Sequence, residues 1–233
     1  MTGTPAPLPS LTAMTFRRGM RIGRLYLVLG VFFTLFLTVV LLRSTKGAFP
    51  TAFPLEIPMF AALGSMGGLM LFTNDRSKGV LEYLIAYGVP PRTLLLNALA
   101  TATGLTTIVL GAALAVGLGG YVAVGNTLST DLENAILFYT IPMAYAGGLF
   151  ASVAGMVWST LSSPRTGMNS PVGVAPLLGV APPVLVLVLA EASSKSDYYY
   201  ITAGSAAIFL VIVVALLLLA SRLMGRERFL SPL

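Results

Sequence analysis

Residues 74–92 read NDRSKGVLEYLIAYGVPPR, a polar island between two apolar runs that are each long enough to cross a membrane. Asp75, Arg76, Lys78, Glu82 and Arg92 place five charges in this island, while Val80, Leu81, Leu84 and Ile85 recur at helical spacing with Tyr83 and Tyr87 beside them. The spacing predicts a short amphipathic helix with a mixed-charge face; a solvated loop with one helical turn is the alternative. Gly88, Pro90 and Pro91 end the helix, because Pro brings no amide donor and disfavours helix in the residue before it.

Composition says what surrounds the island. Of 233 residues, 56% are hydrophobic and 9% charged, against roughly 45–50% and 25% in soluble domains. The excess apolar surface needs lipid to cover it, so the chain reads as an integral membrane protein. It has no Cys and no His. That removes disulfides, thiolate and imidazole metal sites, and Ser-His or Cys-His catalytic pairs. The net charge of +6 sits mostly next to apolar runs, where it suits a membrane surface and not nucleic acid.

Met1 to Ser10 is a small, Pro-rich tail without the apolar core and cleavage site of a signal peptide. From Leu11 to Arg24, Arg17, Arg21 and Arg24 fall on one helical stripe with Arg18 beside it, and Leu11, Met14, Met20 and Ile22 are apolar. The pattern predicts a helix lying in the cytoplasmic interface, or more simply a positive anchor for the first span. A span needs about 20 residues. Six candidates follow: Leu25 to Leu42, Leu55 to Thr73, Thr93 to Val124, Ala135 to Leu161, Val172 to Ala190 and Ile201 to Ala220. The third and fourth are overlong and are expected to tilt, project or bend. The fifth carries Pro176, Pro182 and Pro183, which predict a kink or a short re-entrant segment before Glu191.

The expected architecture is therefore all-α. Residues 1–24 form a tail and interfacial helix, 25–224 a six-span domain and 225–233 a cytoplasmic tail. With the N-terminus inside, eleven Lys and Arg face the cytoplasm and three, Arg43, Lys46 and Lys195, face outward. The 74–92 island is then cytoplasmic.

Small residues repeat every four positions at Gly64 and Gly68, at Gly111, Ala115 and Gly119, and at Gly147, Ala151 and Gly155. This spacing lets helix backbones approach closely in lipid, within the chain or at an interface with a second copy. Ionisable residues are missing from the middle of every candidate span, which counts against an ion-coupled carrier. The chain also lacks a G-x-x-x-x-G-K-[ST] phosphate loop. Energised transport would need a separate subunit.

The island resembles the loose E-R-x-x-G-T-L-E-x-L-L-x-x-P pattern that follows the second span in membrane (permease) subunits of type 2 ABC exporters. Arg76, Gly79, Leu81, Glu82 and Leu84 match, while Asp75, Val80, Ile85 and Gly88 stand where that family has Glu, Thr, Leu and Pro. The tail Arg226-Glu227-Arg228-Phe229-Leu230 is similar to the family's basic-acidic close. The resemblance implies a cytoplasmic coupling helix that docks on an ATP-binding subunit, with two permease copies forming a pathway as a homodimer or heterodimer. ATP and Mg belong to that partner; no cofactor and no enzymatic activity are expected of this chain. Carried over residue by residue, Asp75, Arg76, Lys78 and Glu82 become polar docking contacts, and Leu81, Tyr83 and Leu84 apolar anchors. Packing against the protein's own helices is the other reading for the Leu residues, and a solvated face for the charges. The resemblance also places a re-entrant segment over Pro182 to Tyr200, whose run Tyr198-Tyr199-Tyr200, like the single Trp158, suits an aromatic belt at the interface. An ATP-independent carrier, a channel, a scaffold, a haem-exporting permease without a haem-ligating His, and an intramembrane enzyme are the competing readings.

Overall fold

The structure is a computed structural model that describes residues 11–44, 48–161, 171–191 and 198–224. Every described element is helical: α1 Leu11–Ile22, α2 Arg24–Arg43, α3 Ala48–Gly64, α4 Met66–Ser77, α5 Val80–Ala86, α6 Pro91–Ala123, α7 Thr130–Ala135, α8 Ile141–Leu161, α9 Pro171–Glu191 and α10 Tyr198–Met224. A one-turn π-helical segment, Ile136–Thr140, joins α7 to α8. In hydrocarbon, helices satisfy their own backbone groups, so apolar runs of this length fold this way. Five helical runs are long and apolar enough to cross a membrane: Arg24–Arg43, Phe49–Ser77, Pro91–Ala123, Thr130–Leu161 and Tyr200–Met224. The expected fifth span falls on α9, where Leu177–Val186 is apolar but shorter. The expected tail, residues 225–233, and the Arg226-to-Leu230 motif lie outside the described residues.

Close contacts fix the direction of each helix. Phe53 meets Gly117, Gly64 meets Leu105, and Gly68 meets Ala98 and Ala102, so α3 and α4 run antiparallel to α6. Gly30 meets Val109 and Leu42 meets Gly120, so α2 runs parallel to α6. Gly148 lies at Ser65 and Gly155 at Leu69, aligning α8 with α3 and α4. Gly147 at Gly179 and Tyr139 at Pro183 set α9 antiparallel to α8. The Phe150 and Phe209 rings, 5.6 Å apart, and the crevice shared by Val157 and Leu216 set α10 parallel to α8. Direction therefore alternates along the chain.

Among the described residues, the two larger apolar cores lie at opposite ends, and a smaller one joins Tyr139, Met143, Val186 and Ala206. One gathers Phe72, Leu81, Leu95, Met156 and Met224 at the α5 end. The other gathers Phe49, Phe53, Ile57, Tyr121 and Leu132 at the α7 end.

Polar hydroxyls bond to backbone carbonyls between them. Pro58 has no N–H, so the Pro54 carbonyl one turn earlier lacks its usual helical donor; Thr140 Oγ1 donates to it at 3.0 Å. The π turn sets Tyr139 beside Thr140 in the interior, both fully buried, and the Tyr139 hydroxyl donates to the Pro183 carbonyl at 3.2 Å. Between α3 and α4 the Ser65 hydroxyl donates to the Ala62 carbonyl at 2.7 Å, and Ser152 Oγ donates across to the Ser65 carbonyl at 3.0 Å.

The helices differ from the expected spans in three places. The helix of the second starts at Ala48, not Leu55, and runs through Pro54 and Pro58. The fourth starts at Thr130, where Ser129 caps α7 by accepting from the Leu132 N–H. α9 stays helical through Pro182 and Pro183 to Glu191 instead of turning back there. The 192–197 part of the expected re-entrant segment lies outside the described residues. α6, at 33 residues, is about 50 Å long, well beyond the roughly 30 Å of hydrocarbon.

α1 crosses α6 instead of running along it. Phe16 packs on Gly104 and Gly19 on Thr101, and a Cβ on Gly23 would stand 2.5 Å from Gly67 Cα. Arg17, Arg21 and Arg24 face away from this contact and are exposed.

Of the small-residue stripes, two pack within the chain. A Cβ on Gly64 would lie 2.7 Å from the Leu105 carbonyl, one on Gly147 2.5 Å from the Gly179 carbonyl, and one on Gly155 2.6 Å from Leu69; Ala151 is fully buried. The third does not. Nothing lies within 4 Å of a Cβ at Gly111 or Gly119, and Ala115 is exposed. Four-residue spacing is shared by all three stripes, but only the face turned toward another helix is used.

Gly68→Ala places a methyl 2.7 Å from Ala102 Cβ and against the Ala98 carbonyl, so it should cost about 1–3 kcal/mol. Gly111→Ala, in open space, should be neutral or stabilising by up to about 1 kcal/mol from helix propensity. Thermal unfolding of the two variants in detergent compares them directly.

Candidate functional site

The α4–α5–α6 connection occupies the far end of the bundle. From Gly67, where α1 crosses, α4 continues ten residues to Ser77, about 15 Å at 1.5 Å per residue. α5 is then fixed at both ends. Gly79 adopts φ +69°, and its N–H donates to the Arg76 carbonyl at 2.9 Å, which turns the chain sharply out of α4. Gly88 adopts φ +84° and donates to the Ile85 carbonyl at 2.9 Å, while Val89 donates to the Leu84 carbonyl at 3.0 Å. That pair of bonds is the Schellman close of a helix, completed by apolar contact between the residues it joins. Pro91 then opens α6 in the first helical position, where a missing N–H costs nothing.

α5 has two faces. Leu81 is 3% exposed and belongs to the apolar core with Phe72, Leu95 and Met224, and Leu84, Ile85 and Val89 pack against that core. Tyr83 and Tyr87 point outward, 59% and 73% exposed, with ring centroids 4.4 Å apart. The hydrogen bond that the Tyr83 hydroxyl makes to Tyr87 holds the Tyr83 phenol above its ordinary pKa. Lys78 and Gly79 are exposed beside them. Glu82 is half-buried at the boundary: its Oε2 is enclosed without a hydrogen-bond partner, and its charge acts on Arg76. Arg76 Nη1 reaches the Ser159 hydroxyl of α8 at 3.4 Å.

The seven expected contacts therefore divide. Lys78 and Tyr83 lie on the free face, Arg76, Glu82 and Leu84 at its edge, and Leu81 and Asp75 in the interior. Asp75 is 7% exposed and accepts from Arg18 Nη2 of α1 at 2.6 Å. This tie between α1 and the base of α5 was not legible as a pair, since 57 residues separate its partners. Its one trace in the sequence is that Arg18 stands off the stripe of Arg17, Arg21 and Arg24. Tyr87, more exposed than Tyr83, joins the candidate surface.

The arrangement offers a rigid, aromatic, mixed-charge surface and little reactive chemistry. Among the described residues, no group of three or more Asp and Glu is placed to hold a metal ion. Trp158, 44% exposed, lines an apolar crevice of about 400 Å3 with Ala154, Val157, Leu161 and Leu216. No known protein family, curated protein or solved structure matches the chain.

The two faces should respond differently to truncation. Leu81→Ala opens a cavity in the core and should cost about 2–5 kcal/mol. Tyr87→Ala removes an exposed ring and should stay within about 0.5 kcal/mol. Gly79→Ala and Gly88→Ala force a side chain into left-handed backbone and should each cost about 1–2 kcal/mol. Chemical or thermal denaturation of the purified variants reads all four.

Proposed function

We propose that the chain is the membrane subunit of an ATP-driven exporter of the type 2 ABC kind, with α9 as its sixth crossing, both termini in the cytoplasm and the α5 end docked on a separate ATP-binding subunit in the cell membrane. The observation that carries this reading is α5 itself, a helix clamped between two left-handed glycines, seated on the core through Leu81 and presenting Tyr83, Tyr87 and Lys78 outward. A lever must be stiff where it is pushed and anchored where it pushes. Leu81 and Leu84 supply the anchor, and the Arg18–Asp75 tie extends it to α1.

In this mechanism two copies of the chain form the pathway, and the partner subunits bind ATP and Mg. Their closure on ATP presses the two α5 helices, which turn α4 and the first turns of α6 as a unit. Lys78, Glu82, Tyr83 and Tyr87 make the contact, Arg76 braces Glu82 from behind, and Asp75 and Leu81 act from within. The exposed glycine face of α6 at Gly111, Ala115 and Gly119 is free to meet lipid or the second copy.

Affinity purification of the tagged chain from its own membranes should bring down a stoichiometric ATPase. Tyr83→Ala with Tyr87→Ala should reduce that recovery and uncouple ATP hydrolysis from transport without altering the melting temperature, because changes at an exposed rim act on docking and not on span packing. A pure oligomer of the chain, with no ATPase and with gradient-driven flux, would replace this proposal with an ATP-independent carrier.

A further inference from the structure

Between α6 and α10, at the α5 end, the bundle leaves an open crevice of about 180 Å3. Its walls are Leu95, Leu96, Val214, Leu217 and Leu218, and its mouth carries Arg92 and Ser221. Arg92 lies in the first turn of α6, and Arg222 follows Ser221 in the last turn of α10. Both arginines are exposed, and among the described residues neither has an acidic partner, the one ion pair there being Arg18–Asp75.

Size and polarity together select the occupant. Pockets that enclose a compact small molecule run to roughly 300–1,000 Å3, so this crevice suits a slender chain lying along it. Leu96, Val214 and Leu218 of the crevice wall are exposed, as is Leu219 beside them on α10, and in sequence the apolar run of each helix ends at Arg92 and at Arg222. Hydrocarbon below and two guanidinium groups above match a lipid whose headgroup is anionic, since basic pockets between spanning helices attract such headgroups and the guanidinium fork pairs with two phosphate oxygens at once.

We infer that this crevice binds an anionic phospholipid of the surrounding bilayer, its phosphate held by Arg92 and Arg222 and one acyl chain laid against Leu95, Leu96 and Leu217. The bound lipid joins the start of α6, directly after α5, to the end of α10. The assignment stands whether or not the chain carries cargo.

The test uses the full chain in mild detergent, mixed with phosphatidylglycerol or phosphatidylcholine and examined for retained lipid by native mass spectrometry. Phosphatidylglycerol should be retained in preference to phosphatidylcholine. Arg92→Gln and Arg222→Gln should each weaken retention about fivefold and together abolish the preference, whereas Arg43→Gln, at the opposite end of the bundle, should leave it unchanged. Leu96→Trp, a substitution at an exposed position, should lower retention by filling the crevice while the helical circular dichroism stays that of the unaltered chain. Equal retention of the two lipids, undiminished phosphatidylglycerol binding in the double arginine variant, or displacement by inorganic phosphate as efficiently as by phosphatidylglycerol would overturn the assignment. The last outcome would mean a plain anion site with no role for the acyl chain.

Discussion

In hydrocarbon a backbone carbonyl that loses its helical donor has no water to turn to, and the shape of this bundle depends on how that constraint is met. Pro58 strips the donor from the Pro54 carbonyl, and Thr140 replaces it from the π turn that leads into α8. Ser152 reaches the Ser65 carbonyl where α3 gives way to α4. Tyr139 reaches the Pro183 carbonyl in α9. The first of these bonds replaces a missing helical donor, and the other two add a second donor to a carbonyl of a neighbouring helix; all three tie helices together. The π turn at Ile136–Thr140 fits the same logic, since it brings Tyr139 and Thr140 together into the interior.

Close approach completes what the hydroxyls begin. Where Gly64, Gly68 and Gly147 face a neighbouring backbone, the helices sit nearer than any side chain would allow. α1 joins by the same means through Gly19 and Gly23, and its Arg18 then reaches Asp75 at the base of α5. α5 is thus held by its own capping glycines, by Leu81 in the core and by a neighbour's charge. Its tyrosines, Tyr83 and Tyr87, stay exposed outside these ties.

The candidate site was partly legible. The helix at Val80–Ala86 and its end at Gly88 follow from local spacing and turn chemistry. Which of its residues face outward does not. Leu81 and Tyr83 are two positions apart on one short helix, and only the presence of Phe72, Leu95 and Met224 on one side makes the first a core residue and the second a surface one. The arginines of α1 were visible as a stripe, but the acid that takes Arg18 lies beyond a whole span. The Arg92 crevice is similar, since its walls come from two helices more than a hundred residues apart.

By itself the sequence determined the helical class, the apolar runs, of which it counted six and five fold as helices long enough to cross a membrane, the polar island between the second and third of them and the lack of His and Cys chemistry, because each depends on composition or on neighbours within a few residues. Only the tertiary structure decided which glycine stripe packs, which proline carbonyl is rescued and by whom, and that Asp75 is buried beneath α5 instead of displayed on it. Those outcomes depend on what a second helix places opposite a given face, and a linear pattern with the same four-residue spacing at Gly64, Gly111 and Gly147 is silent about its partner.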